Sequence, residues 1–206
     1  MAQQRRRGNE LKEAIYLSAI ELLETEGYKA ITFQNIAKAA QTSRSVLYRA
    51  WPSPFLLLYE AVKWKTFQDG NGSIWSSNYN SGSLRGDLIA LCQHFVKNSL
   101  AFSAEFLKGF LNELIENPEV VHLSEKITVS NLQVMGKIIE RANLRGEIKH
   151  EVSDMVKLLP FEVLRYHLVF MKDDEVDDPF IEQLVDDVML PAMTKGNSAK
   201  TDHAMP

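Results

Sequence analysis

Between residues 10 and 54 the apolar residues recur at helical spacing, but the run is interrupted three times in quick succession, and this restricts the fold more than anything else in the chain. Leu11, Ile15, Ala19, Leu22 and Leu23 mark one face of an amphipathic helix over residues 10–26. Gly27 is placed to stop it as a left-handed cap. Thr32 can N-cap a second, short helix whose buried face is Phe33, Ile36, Ala37 and Ala40. Gln41-Thr42 make a tight turn. Ser43 can cap a third helix with Val46, Leu47, Ala50 and Trp51 facing inward. Pro52 and Pro54 then break the chain and suit the start of a fourth helix, Phe55 to about Phe67, where a missing N–H costs little.

Two short helices joined by a tight turn and braced by a longer one form a unit that can read DNA. In such a unit the first helix of the pair crosses the backbone and the second lays its N-terminal residues in the major groove. Those residues must then be polar. Here they are Thr42, Ser43, Arg44, Ser45, Tyr48 and Arg49. Arginine can grip guanine O6 and N7 as a bidentate pair. Ser45 is small enough for close backbone approach, and Tyr48 and Arg49 lie one turn on, where a phosphate would run. Thr32 and Gln34, at the start of the second helix, either touch a phosphate or only cap it. Arg5, Arg6 and Arg7 are either a DNA-reaching arm or a solvated terminus.

Charge supports this partner at one end only. Residues 1–68 carry ten Lys and Arg against six Asp and Glu, a net of +4, while residues 69–206 carry thirteen against twenty-one, a net of −8, within an overall −4. A basic head on an acidic body suits a polyanion at the head.

The stretch from Asp69 to Ser83 is rich in Gly, Ser and Asn and reads as a loop, although Trp75 and Tyr79 inside it suggest packing. Beyond it the periodicity predicts only helices, roughly 84–102, 104–116, 119–143, 151–171 and 177–193. The predicted fold is all-α with about nine helices. Its parts are a basic arm at 1–8, a helix-turn-helix head with its connecting fourth helix at 9–68, a loop at 69–83, a helical body at 84–194, which the resemblance given below makes the ligand-binding and dimerisation domain, and a tail at 195–206. Apolar residues make up 45% of the chain, enough for a core. No apolar run reaches membrane-spanning length and no signal peptide is evident, so no membrane partner is expected and the cytoplasm is the default compartment.

Within residues 10–62 the pattern resembles the DNA-binding domain of the TetR family of transcriptional regulators. The residues that carry the resemblance are Ile15, Ala19, Leu22 and Leu23 before Gly27-Tyr28, then Thr32, Ile36-Ala37 and Ala40, then Ser43, Leu47-Tyr48 and Trp51. Pro54 departs from it, because family members usually carry a phosphate-reaching lysine there. The stretches Gly82-Ser83-Leu84-Arg85-Gly86-Asp87-Leu88, Arg145-Gly146-Glu147-Ile148 and Leu184-Val185-Asp186 with Leu190-Pro191 resemble one subgroup's ligand-binding domain. The resemblance implies an Ω-shaped homodimer on palindromic double-stranded operator DNA, with a pocket in each body for a small-molecule effector.

A largely apolar effector suits the candidate lining residues Phe102, Phe106, Phe110, Met135, Phe161 and Tyr166, each of which ordinary core would explain equally. Met155, Leu158, Leu159, Phe161, Leu164, Leu168 and Phe170 cannot all face one core, and Ile181, Leu184, Val185 and Val188 form a further stripe. A second copy is the simplest partner, giving a four-helix interface in which Leu158, Leu164, Ile181, Leu184, Val185 and Val188 are the candidate contacts. Pro160 should kink its helix or begin its second half. Cys92 reads as buried filler, against a redox sensor. His94, His122, His150, His167 and His203 show no ligand spacing, so neither metal nor cofactor is expected. No phosphate loop, His-Glu-x-x-His or nucleophile elbow is present, so the chain is not read as an enzyme. The remaining alternative is a helical ligand carrier or adaptor without specific DNA binding.

Overall fold

The structure, a computed structural model, describes residues 8–70, 72–99, 102–171 and 176–195, and every regular element among them is helical. The proposed arm residues Arg5, Arg6 and Arg7, His203 and most of the proposed tail lie outside the described residues. Two compact units result. Unit 1 is built from residues 1–72 and 100–124, and unit 2 from residues 73–99 and 125–206.

Unit 1 contains α1 (Asn9–Glu26), α2 (Phe33–Ala39), α3 (Arg44–Ala50), α4 (Pro54–Gln68) and α6 (Ala104–Glu116). Gly27 ends α1 at φ 77 and ψ 179, with its N–H on the Leu23 carbonyl at 3.1 Å. This is a more glycine-specific conformation than the left-handed cap that its position suggests. A 3-10 turn (Tyr28–Ala30) follows. Thr32 caps α2, its side chain accepting from Asn35 N. Gln41 takes the left-handed φ of 53 that reverses the chain into α3. Ser43 stands at the head of α3 but does not cap it; its hydroxyl pairs instead with Ser45 Oγ at 2.9 Å. Ser53 caps α4 and Pro54 opens it. Ile15, Ala19, Ile36, Leu47, Phe55, Leu57, Leu58 and Ala61 are fully buried.

One expectation for this unit needs correction. Ala50, read as inward-facing, is exposed, because α3 ends there and Trp51 enters the core from extended backbone at φ −132, ψ 138 instead of from another helical turn. The described residues 102–124 pack with the head helices in this unit. Here α6 contacts α1, α4 and the 3-10 turn.

Unit 2 contains α5 (Leu84–Ser99), most of α7 (Pro118–Leu144), α8 (Asp154–Phe170), α9 (Asp178–Gln183), a π-helical stretch (Leu184–Met189) and α10 (Leu190–Thr194). Its core holds Leu84, Leu88, Leu91, Met135, Ile138, Phe161, Leu164, Val185, Met189 and Met193. Ile74 and Tyr79 of the glycine- and serine-rich stretch are buried in the same core. Trp75 Nε1 donates to the buried Asn131 at 2.8 Å, and Arg141 donates to the Tyr79 carbonyl at 2.6 Å. The stretch is thus fastened down along α7. The α8 helix continues through the buried Pro160.

The proposed interface stripe is largely corrected. Leu164, Ile181, Leu184 and Val185 are buried in their own subunit's core and Leu158 is half-buried; only Val188 is exposed, at 42%. The stripe assumed 3.6 residues per turn throughout. A π-helical stretch closes i→i+5 hydrogen bonds and winds more slowly, so Val188 turns outward while Met189 and Met193 turn in. Pro191 lacks the N–H that would bond the Asp187 carbonyl in a regular α-helix, which favours the wider turn just before it. The apolar residues that α8 exposes lie on its other face: Met155 at 80%, Tyr166 at 51% and Phe170 at 65%, with half-buried Leu159 on the same stripe.

Candidate nucleic-acid interface

The interface begins with two caps and a turn. Thr32 Oγ1 accepts Asn35 N at 3.1 Å, and Asn35 Nδ2 in turn donates to the Ala30 carbonyl at 3.0 Å. These bonds fix the start of α2. At its other end Thr42 N bonds the Ala37 carbonyl at 2.9 Å, which folds α3 back beside α2. Seven residues make each helix, too short to hold alone in water; each is held by what it packs on.

The turn leaves the N-terminal residues of α3 in solvent. Ser43, Arg44, Ser45, Tyr48 and Arg49 are exposed, as are Thr32 and Gln34, while Thr42 is half-buried. Thr32, Phe33, Gln34, Asn35, Arg44, Tyr48, Pro52 and Pro54 line one open depression. The structure therefore brings Thr32, Gln34, Arg44 and Tyr48 together, and Ser43, Ser45 and Arg49 share the short helix with the last two. The Tyr48 ring is set edge-on against Phe33, centroids 4.7 Å apart, which leaves it 65% exposed but oriented. Thr32 caps α2, and its hydroxyl proton is not used by that cap. Asn35, Pro52 and Pro54 are lining residues that the sequence reading did not assign to the site. The Thr-x-x-Asn spacing at the helix start was the available signal for Asn35.

Behind this face a polar knot fixes α4 against α1 and α3. Tyr16 Oη and Trp51 Nε1 both donate to Glu60 Oε2, at 2.7 and 3.0 Å, and Lys12 Nζ stands 3.8 Å away. Burial opposes ionisation of Glu60, but the Trp51 and Tyr16 hydrogen bonds and the lysines outweigh it and hold the carboxyl below its usual range. Burial and the same carboxylate push the Tyr16 phenol upward. Trp51 is thereby locked at the end of α3.

The ligand-pocket candidates do not gather within one unit. Phe102, Phe106 and Phe110 belong to unit 1, where Phe106 and Phe110 stack on Phe55 at 5.3 and 5.8 Å. Met135 and Phe161 are fully buried in unit 2. Tyr166 is exposed and stacks on Phe170 at 5.5 Å, which corrects its reading as a lining residue. Cys92 is fully buried, and burial pushes its thiol up to about 12, an environment for filler. Among the described residues no group of three or more His, Cys, Asp or Glu is placed to hold a metal, and no helix is long and apolar enough to cross a membrane.

Comparison with known proteins accounts for both halves. Residues 15–53 match the family of bacterial regulatory proteins, tetR family, and residues 79–188 match the tetracyclin repressor-like C-terminal domain. An uncharacterized HTH-type transcriptional regulator of Mycobacterium tuberculosis is 28% identical over 179 residues, 85% of this chain and 84% of that protein. A DNA-binding transcriptional repressor TetR of Mycobacteroides abscessus is 24% identical over 193 residues, 92% and 97% of the two chains. Among solved structures, Salmonella enterica GusR shares the fold with a TM-score of 0.68 at 18% identity, covering 93% of this chain and 98% of that one. A tetR-family regulatory protein from Rhodococcus RHA1 gives 0.61 at 18% identity, covering 91% and 98%. The chain belongs to the TetR family of transcriptional regulators, and its helix-turn-helix is the family's DNA-binding domain.

Proposed function

We propose that the chain is a repressor that binds a palindromic operator as a homodimer and releases it when a small, largely apolar effector occupies the C-terminal domain. The observation that carries the DNA half is the exposed, hydrogen-bonding start of α3 with Arg44 and Tyr48 beside Thr32 and Gln34 in one depression. Ser43, Ser45 and Arg49 add contacts along the same helix. The repressor sense is favoured by the relative from Mycobacteroides abscessus, whose name is that of a repressor. For the dimer, the exposed Met155, Tyr166 and Phe170 of α8, together with Val188, replace the buried residues of the sequence-based stripe. Pro54 opens α4 where family members usually carry a lysine, so one phosphate contact is absent. The salt dependence of binding should then be flatter by about one unit of slope at most.

For an effector to act, it must bias the DNA-reading geometry. A slack linker would absorb such a bias, but residues 73–83 are fastened to their own unit by Trp75, Tyr79 and Ser81. A gel-shift experiment with genomic fragments at two salt concentrations tests the reading. A discrete band that survives competition by bulk DNA is expected. Retardation that competes away equally with any DNA would favour a carrier or adaptor. With an effector in hand, DNA and effector must weaken each other by the same factor, typically about 1–3 kcal/mol.

A further inference from the structure

Gly109 stands in the middle of α6, where glycine is a poor helix residue compared with alanine. The reason for it lies in unit 1. A Cβ on Gly109 would fall 2.3 Å from Tyr28 Cδ2 and 2.4 Å from Cε2. The Tyr28 ring therefore fills the space that any other residue's side chain would take. One turn on, Glu113 Oε1 accepts the Tyr28 hydroxyl at 2.7 Å, and Asn117 Nδ2 holds the other carboxylate oxygen at 2.9 Å. Phe55 closes the far side of the ring, edge-on at 6.2 Å. Burial, then Glu113, pushes the phenol upward, so it remains a donor.

Tyr28 begins the short turn that leads into α2. Its carbonyl accepts Ile31 N at 3.0 Å, and the Ala30 carbonyl accepts both Thr32 N at 2.9 Å and Asn35 Nδ2 at 3.0 Å. Four residues of tightly bonded chain thus join the ring in the Gly109 notch to the Thr32 and Gln34 edge of the DNA-facing depression.

We propose that Gly109 and Glu113 are positioning residues for DNA reading: by seating Tyr28 they fix where the start of α2 stands on α6. The inference rests on the operator binding proposed above. In the test, wild-type chain selects duplexes from a random-sequence pool, and affinities are measured for a selected duplex and for a scrambled one of equal length. Gly109→Ala should weaken binding to the selected duplex by about tenfold and leave the scrambled duplex nearly unaffected, because phosphate contacts dominate the latter. Adding Tyr28→Leu removes the ring together with its bond to Glu113 and should recover little of the lost affinity, because the seating itself is gone. Helix propensity alone would only raise the melting temperature of Gly109→Ala. A variant that is more stable and binds the selected duplex like wild type therefore overturns the proposal, as does a double variant that binds it like wild type. Should Gly109→Ala not fold, Tyr28→Phe decides: it keeps the ring and loses the bond to Glu113, and wild-type affinity for the selected duplex would overturn the proposal. If wild-type chain selects no duplex at all, the operator reading fails first, and the two failures are told apart.

Discussion

Arg44 stands at the first position of α3, exposed, with its neighbour Ser43 engaged by Ser45. If it grips a base edge, Arg44→Ala should weaken specific binding by about 1–3 kcal/mol and relax preference at one base position. A loss that is uniform across sequences would make it a phosphate contact. Its exposed place at the start of a short helix was legible in the sequence because such a position is a local property. Glu60 was not, because its partners Tyr16 and Trp51 reach it across 44 and 9 residues. Its lowered folded value sets a sign for pH dependence. The contribution is complete above the ordinary glutamate value of about 4.3 and is lost as the pH falls through the folded value beneath it. Thermal melts should show wild type more stable than Glu60→Gln near neutrality, with the gap closing as the solution is acidified toward about pH 3. A gap that widens on acidification would contradict the assignment.

At the scale of elements, the glycine- and charge-bearing stretches that resembled a family subgroup turn out to bind one another. The fully buried Asp87 carboxylate in the first turn of α5 accepts Ser81 N at 2.6 Å and Ser81 Oγ at 2.8 Å, and Arg145 Nη2 stands at 3.3 Å. Glu147 accepts Leu84 N at 2.6 Å and pairs with Arg145. Gly86 is required beside them, since a Cβ there would meet Ser81 Oγ at 2.3 Å. Asp87→Ala would take the acceptor from the Ser81 N–H and hydroxyl, and the half-buried guanidinium of Arg145 would lose one anion. The expected cost is about 3 kcal/mol, measured by urea unfolding. A loss below about 1 kcal/mol would show that water replaces the carboxylate. Periodicity and caps located α5, α6, α7 and α8 to within a few residues, but read the stretch from 177 to 193 as one helix where the structure has three successive elements. The network itself was illegible, because contacts 58 to 63 residues apart leave no trace in local spacing. The same is true of the packing of α6 with the head, which the Phe106 and Phe110 stacking on Phe55 and the fit of Tyr28 to Gly109 carry.

For the molecule as a whole, the self-association surface proposed above rests on what the helices leave uncovered. Phe170→Asp and Val188→Asp together should convert a species near twice 23.4 kDa into one of 23.4 kDa in sedimentation, with helicity retained and operator affinity reduced. A dimer that survives both changes would place the interface elsewhere. Leu184, by contrast, is core, and a charge there would unfold its own subunit. Val188 and Leu184 differ in this way because of the π-helical stretch between them. Its consequence reaches beyond this chain. Any comparison that lays the last helix against an uninterrupted one will keep the residues before Leu184 in phase and carry those after it about one position out. A core side chain would then be matched to a surface one without any gap to betray the slip. Conservation scored across that junction would mix two different selective pressures, and only a relative carrying the same widened turn can be compared with it column by column.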